Sequence, residues 1–295
     1  MLDLNGIKVK NRIWLAAGAG GYGEGWPHQK PFIKLGLIDF SAFGAIITRT
    51  LTPESRQGNY IDPFEFENAT LVSHLCRIFS EERKRVLRKV LGGWINNVGW
   101  WNVGINYWIE KIYPWLHDVA IIPNIGGFTI YHYVDSIRKL NHLDIVGIEI
   151  NISCPNIEHP LSKDPAELMK LFTFCRESSD YPFIVKLGID SDYVQIARLA
   201  EYCGFNAVSA INAIPALGGG YSGSAIKPIA LKVVADLKKA VKIPVIGGGG
   251  IASLKDCQEF FEVGADAVAL GSGFLLKPWE PTRIAKKYEK VKDQK

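Results

Sequence analysis

Short apolar, β-branched runs recur along this chain, and stretches with helical spacing separate them. Eight runs stand out: Ile13–Ala17, Ala45–Thr50, Ala120–Asn124, Ile145–Asn151, Ile184–Leu187, Ala207–Ile211, Val245–Gly247 and Ala267–Leu270. Runs of this kind read as strands covered on both faces, the condition of a parallel sheet. Strands that alternate with helices predict parallel crossovers, and eight of them predict a closed barrel. The expectation is an α/β fold, a (β/α)8 TIM barrel. Helix punctuation agrees with it. Ser191-Asp192 opens a helix that Gly204 ends, and Ser253 with Asp256 resembles a capping box for a helix closed by Gly264.

One connection breaks the rhythm. Thr52 to Val119 holds far more than the single helix a barrel needs between its second and third strands. Long connections in compact domains usually serve as lids or pocket walls. This one leaves its strand on the face where barrel active sites form. Inside it, Ser80-Glu81-Glu82 precedes Arg83, Lys84, Arg85, Arg88 and Lys89. A cap, then acids, then bases predicts a helix near Glu81–Leu91 with a solvated basic face. No repeat, low-complexity segment or linker interrupts the series. Residues 1–295 therefore read as one domain with an extended insertion after the second strand.

Composition adds limits rather than a function. The chain has 295 residues, 47% of them hydrophobic, enough for the core of one barrel. Its net charge of +4 gives no reason to expect nucleic acid. No apolar run approaches the length of a membrane span, and Met1 to Lys10 lacks a signal-peptide pattern. The expectation is a cytoplasmic protein that does not engage a membrane. The five cysteines, at 76, 154, 175, 203 and 257, are scattered without a CxxC spacing. That argues against a zinc or iron–sulfur site and against a disulfide framework.

Candidate chemistry gathers where strands end. Asn151-Ile152-Ser153-Cys154-Pro155-Asn156 follows the fourth apolar run. Two amides, a hydroxyl and a thiol in six residues suit a planar polar ligand with an acid–base group beside it. The plain alternative is a polar turn with a buried cysteine. Asn124 and Asn212 also end strands, and either could simply form a turn. Lys186 interrupts an otherwise apolar strand. It either faces a ligand from inside the barrel or snorkels out at the strand end. Glycines cluster after the last three strands, at Gly218-Gly219-Gly220 with Ser222-Gly223, at Gly247 to Gly250, and at Gly271-Ser272-Gly273. Such loops let backbone N–H groups reach a phosphate, and the last two βα loops are the usual place for one.

Together these pieces resemble the dihydroorotate dehydrogenase family of FMN-containing barrels, over nearly the whole chain. The most specific match is the Asn-x-Ser-Cys-Pro-Asn motif at 151–156. Asn96 to Gly104 is similar to the family's substrate loop, and Gly219 to Pro228 to the segment before its seventh helix. By position, the resemblance implies Cys154 as the base that takes the C5 proton of dihydroorotate, with hydride leaving C6 for N5 of FMN. It implies substrate contacts from Arg49, Asn96, Gly99, Trp100, Asn151, Asn156 and Asn212. It implies that Ala17, Gly18, Arg49, Asn124, Asn151, Lys186, Ser222, Gly223, Gly249, Gly250, Gly271 and Ser272 hold the cofactor. Lys186 would stabilise the anionic reduced flavin. A cysteine base points to the soluble class, often homodimeric. An ordinary thiol, with a pKa of about 8.5, supplies some thiolate near neutral pH.

The chain departs from the family pattern at five places. Arg49 stands where the family has a lysine, Trp100 where it has leucine, and Ala213 where it has a hydroxyl. The connection from Asn212 to Gly218 is shorter than usual, and the glycine-containing extension after Asn156 is missing. The last feature weakens the link to the NAD-linked subclass, which uses an electron-transfer partner subunit. Trp94, Trp101, Trp108 and Trp115 suggest core packing or a dimer interface. Three readings stand beside the first. One is a related FMN oxidoreductase for another dihydropyrimidine or cyclic amide. Another is a flavin-free phosphosugar enzyme on the same barrel. The last is a catalytically retired flavoprotein serving as a subunit. The electron acceptor stays open among fumarate, NAD through a partner, quinone and oxygen.

Overall fold

The computed structural model describes residues 2–59, 87–117, 119–157, 161, 164–189 and 192–292. Eight parallel strands form a closed barrel. They are β1 (Ile13–Leu15), β2 (Ile46–Leu51), β3 (Ile121–Ile125), β4 (Ile148–Asn151), β5 (Phe183–Leu187), β6 (Ala207–Ala210), β7 (Val245–Gly248) and β8 (Ala267–Leu270). Each pairs with its sequence neighbours, and β8 closes onto β1. All eight expected strands are present. The fourth begins later than its apolar run, because Ile145 to Gly147 lead into it outside regular strand structure.

The α-helices of five or more residues among the described residues are α1 (Lys30–Lys34), α2 (Ile130–Leu140), α3 (Pro165–Ser178), α4 (Tyr193–Tyr202), α5 (Lys227–Ala240), α6 (Leu254–Glu262) and α7 (Glu280–Lys292). Their caps follow the sequence signals. The Asp192 side chain accepts from Gln195 N at 3.0 Å, satisfying a donor that would otherwise be orphaned at the start of α4. Ser253 Oγ accepts from Asp256 N and donates to Asp256 Oδ2 at the start of α6. Gly264, after α6, has φ +103°, a conformation glycine adopts without a Cβ penalty.

The barrel interior changes character along its axis. Trp14, Ile47, Ile122, Ile184 and Ile246 form an apolar layer, together with Ile7 and Val9 of an N-terminal hairpin. Two residues further along each strand the side chains return to the same face. On β2, β3 and β5 they become Arg49, Asn124 and Lys186, and by register Glu149 of β4 stands beside Asn124 and Ser209 of β6 beside Lys186. Polar groups are thus concentrated toward the C-terminal ends, with an apolar layer beneath them.

The insertion differs from its sequence-based expectation. Leu87–Val90 is a strand rather than the end of a helix, and it pairs antiparallel with Gly93–Asn96. The Leu91-Gly92 turn between them has Gly92 at φ +73°. Acids followed by bases resemble a helix dipole pattern, but tertiary pairing overrides such propensity. The preceding residues 60–86, including Pro63, Cys76, Ser80 and Arg83 to Arg85, lie outside the described residues, as does Ser191.

A second hairpin, Ile214–Ala216 with Gly219–Ser222, joins the insertion strands in one four-stranded antiparallel sheet. The first expected phosphate cluster, Gly218 to Gly220, therefore supplies a hairpin turn and a strand. Any Cβ on Gly219 would lie 2.1 Å from Asn96 O, so the close strand contact needs glycine there. This sheet carries Asn96 and Ser222 to the mouth of the barrel.

Candidate active site

A cavity of about 520 Å³ opens at the C-terminal ends of the barrel strands. The loop after β1 contributes Ala17 and Gly18, and β2 contributes Arg49. The insertion adds Asn96, Gly99 and Trp100. The segment leaving β4 supplies Asn151, Cys154 and Asn156. Lys186 and Asn212 enter from β5 and from the end of β6, and Ser222 from the second hairpin. Gly249, Gly250, Gly271 and Ser272 complete the wall after β7 and β8. Two of the residues singled out from sequence lie elsewhere. Asn124 sits behind the lining, and Gly223 lines a neighbouring cavity of about 270 Å³ that shares Gly250 and Ser272 with the first.

The floor is a chain of polar side chains. Asn151 Nδ2 donates to Thr50 Oγ1 at 2.9 Å and to Asn124 Oδ1 at 3.4 Å. Asn124 Nδ2 donates to Glu149 Oε1 at 2.5 Å, and Glu149 Oε1 lies 3.9 Å from Lys186 Nζ. Lys186 is held at 12% side-chain exposure, so it faces the cavity rather than snorkelling out. Glu149 went unnoticed in the sequence, although it interrupts the apolar run of β4 as Lys186 interrupts β5. Two acceptors, Glu149 Oε2 and Asn156 Oδ1, are buried without a hydrogen-bond partner among the described residues. Such groups are uncommon in native interiors, and both residues line the cavity.

The loop bearing Cys154 is fixed from below. Ser153 Oγ donates to Lys186 O at 2.9 Å, and Asn212 Nδ2 donates to Ser153 O at 2.9 Å. Tyr133 Oη donates to Asn151 O at 3.0 Å. Burial pushes the Cys154 thiol above its ordinary range, while the Asn156 backbone N–H and the Lys186 ammonium pull it back. The net shift is upward, so the resting thiol holds its proton more firmly near neutral pH than the sequence alone suggested.

Arg49 is engaged differently from a ligand-gripping fork. A register shift between β2 and β3 falls at Thr48–Arg49, and such irregularities re-aim a side chain. The Arg49 guanidinium carbon lies 4.6 Å from the Trp26 ring centroid and 4.4 Å from that of Trp101. Its Nη2 donates to Trp101 O at 2.5 Å. Arg49 therefore ties the β1 loop to the insertion. Trp101, expected in the core or at a dimer interface, lines the cavity beside it. Trp108 is fully buried, as core packing requires, and Trp115 is 78% exposed. Trp100 is buried at φ +57°, costly for a bulky residue, and its carbonyl is held by Asn102 Nδ2 at 2.8 Å.

The glycine loops form a narrow cradle. A Cβ on Gly250 would lie 2.7 Å from Gly223 O, and Gly250 has φ +77°. The nearby Lys227 ammonium is taken up by Asp256 at 2.5 Å and Glu259 at 2.7 Å. Among the described residues, backbone N–H groups and the Ser222 and Ser272 hydroxyls are donors that can meet an anion there.

A family model described as dihydroorotate dehydrogenase matches residues 79–291. The catalytic subunit of dihydroorotate dehydrogenase B (NAD(+)) from Caldicellulosiruptor saccharolyticus is 33% identical, over 94% of this chain and 88% of that protein. The corresponding subunit from Thermoanaerobacter pseudethanolicus is 35% identical over the same shares. A putative dihydroorotate dehydrogenase A (fumarate) from Solibacter usitatus is 34% identical, over 97% of this chain and 90% of its own length.

Proposed function

Because the chain belongs to the dihydroorotate dehydrogenase family, whose members are oxidoreductases acting on CH–CH donors, we propose that it oxidises dihydroorotate to orotate with bound FMN in pyrimidine biosynthesis. One observation carries the reading. The Cys154 thiol, the Lys186 ammonium and the amides of Asn96, Asn151, Asn156 and Asn212 converge on one cavity that also has a glycine cradle.

The residues present fit such a cofactor. Gly249, Gly250, Gly271, Ser272 and Ser222 would hold its phosphate end, and Ala17, Gly18 and Lys186 its ring. Glu149 Oε2 and Asn156 Oδ1, which lack a hydrogen-bond partner among the described residues, are acceptors suited to N–H or O–H groups of bound molecules. Asn124 acts through Glu149 and Asn151 rather than by direct contact. FMN supplies the acceptor for the hydride that leaves the substrate.

The chain's own residues do the rest. Cys154 takes the proton α to the substrate carbonyl, and the amides around it fix the ring so that this proton faces the sulfur. Asn156 and Asn96, joined to each other, meet the polar edge of the substrate. Lys186 offsets negative charge that develops in the cavity. Arg49, caged by two indole rings, shapes the wall and excludes water.

That cage favours one second reading. A guanidinium bound to Trp101 and packed against aromatic faces is less available to grip a carboxylate, which suits a related dihydropyrimidine or cyclic amide lacking one. Anaerobic mixing of the FMN-loaded protein with dihydroorotate, and separately with dihydrouracil, tests both. Bleaching of the flavin by dihydroorotate supports the first, and bleaching by dihydrouracil alone replaces it with the second. The similar relatives are named for NAD(+) in some cases and fumarate in another, and an electron-transfer partner subunit belongs to the same proposal.

A further inference from the structure

Glu149 is fully buried, yet it presents a carboxyl group to the polar half of the barrel. By register it stands beside Asn124 on β3 and Ile184 on β5, while Asn151 stands beside Lys186. One oxygen accepts from Asn124, and the other has no hydrogen-bond partner among the described residues. Among the described residues, Lys186 is a cation within ion-pair reach, at 3.9 Å. That separation is too long for a hydrogen bond. The two groups are therefore coupled by charge, with Asn124 fixing the carboxyl end and the β5 backbone fixing the root of the lysine.

We infer that Glu149 is a positioning residue that opposes the charge of Lys186 and so holds the reduction potential of the bound flavin below the value Lys186 alone would set. The inference rests on the proposed flavin site. A cation beside a flavin favours the anionic reduced form, and an anion beside that cation takes part of the effect back. Both side chains line the cavity and are largely buried, where charges are weakly screened. A ligand there meets the pair together rather than the ammonium alone.

The test is the midpoint potential of the FMN-loaded full-length protein, measured by anaerobic equilibration with a reference dye. Glu149→Gln keeps the side-chain shape and an acceptor for Asn124, but removes the charge. It is expected to shift the reduction equilibrium at least tenfold toward the reduced form, about 30 mV upward for a two-electron couple. Glu149→Asp, which keeps the charge, is expected to stay closer to wild type. An unchanged or lowered potential in Glu149→Gln overturns the inference.

If Glu149→Gln does not fold, Glu149→Gln/Lys186→Gln is compared with Lys186→Gln alone. A higher potential in the double variant supports the inference, and an equal or lower one overturns it. A wild-type protein that takes up no FMN removes the flavin reading and this inference together. Normal uptake with an unmoved potential removes this inference alone.

Discussion

Asn156 and Asn96 meet side chain to side chain: Asn156 Nδ2 donates to Asn96 Oδ1 at 2.9 Å, although 60 positions separate them. Asn96 Nδ2 in turn donates to Gly220 O at 3.0 Å. The loop after β4, the insertion and the second hairpin are thus fastened together at the cavity. The fastening leaves Asn156 Oδ1 buried without a hydrogen-bond partner among the described residues. Asn156→Ala is expected to weaken substrate use through kcat/KM by roughly 5- to 150-fold, the equivalent of about 1–3 kcal/mol for a lost buried polar partner. FMN affinity is expected to change little. Steady-state kinetics beside a flavin-binding titration checks the split.

Arg49→Lys keeps the charge but loses the planar surface that packs against Trp26 and Trp101. It is expected to destabilise the fold by about 1–3 kcal/mol, from lost cation–π contacts at a desolvated site. Urea unfolding followed by tryptophan fluorescence measures it. A variant as stable as wild type, with altered substrate KM alone, would mean that Arg49 serves the ligand and not the cage.

Gly271 and Gly250 separate ligand contact from backbone strain. A Cβ on Gly271 would meet only Ala16 Cβ, at 3.4 Å, so Gly271→Ala is expected to leave unliganded stability within about 0.5 kcal/mol of wild type. It should nevertheless weaken FMN binding at least tenfold, since the added methyl projects beside the proposed phosphate cradle. Gly250→Ala is expected to lose both, because φ +77° and the Gly223 carbonyl at 2.7 Å leave no room for a methyl. Thermal unfolding of the flavin-free variants and fluorescence titration with FMN make the comparison.

The pH dependence follows from the Cys154 thiol. A general base works only when deprotonated, and burial raises this group's pKa from its ordinary value. Activity is therefore expected to rise with pH along a single-proton limb centred above the usual thiol range. Lys186→Gln removes a cation that pulls the thiol down, so it should move the limb further toward alkaline pH. A kcat/KM profile taken from neutral to alkaline pH reads both.

Much of the barrel was legible because its strands are continuous apolar runs, and such runs have few other uses in a chain of this length. Asn124, Asn151, Lys186 and Asn212 were legible as polar breaks in those runs. Glu149 obeys the same rule and was hidden by the motif two residues later. The strand Leu87–Val90 was not legible. Its residues carry helix-like charge spacing, and the sheet it joins through Gly93–Asn96 includes a hairpin more than 120 positions away. The Arg49 cage was equally remote, since Trp26 and Trp101 meet Arg49 only when the β1 loop and the insertion fold over β2. Local pattern records which faces are buried, but says little about which distant loops share a wall.

The most direct test is stopped-flow reduction of the FMN-loaded protein by dihydroorotate without oxygen, comparing wild type with Cys154→Ala at neutral pH. Wild type is expected to bleach. Cys154→Ala is expected to retain its flavin and bleach more slowly, by roughly 10²- to 10⁴-fold for the loss of a general base. Equal rates in the two proteins, or a wild-type flavin that dihydroorotate does not bleach, would contradict the account.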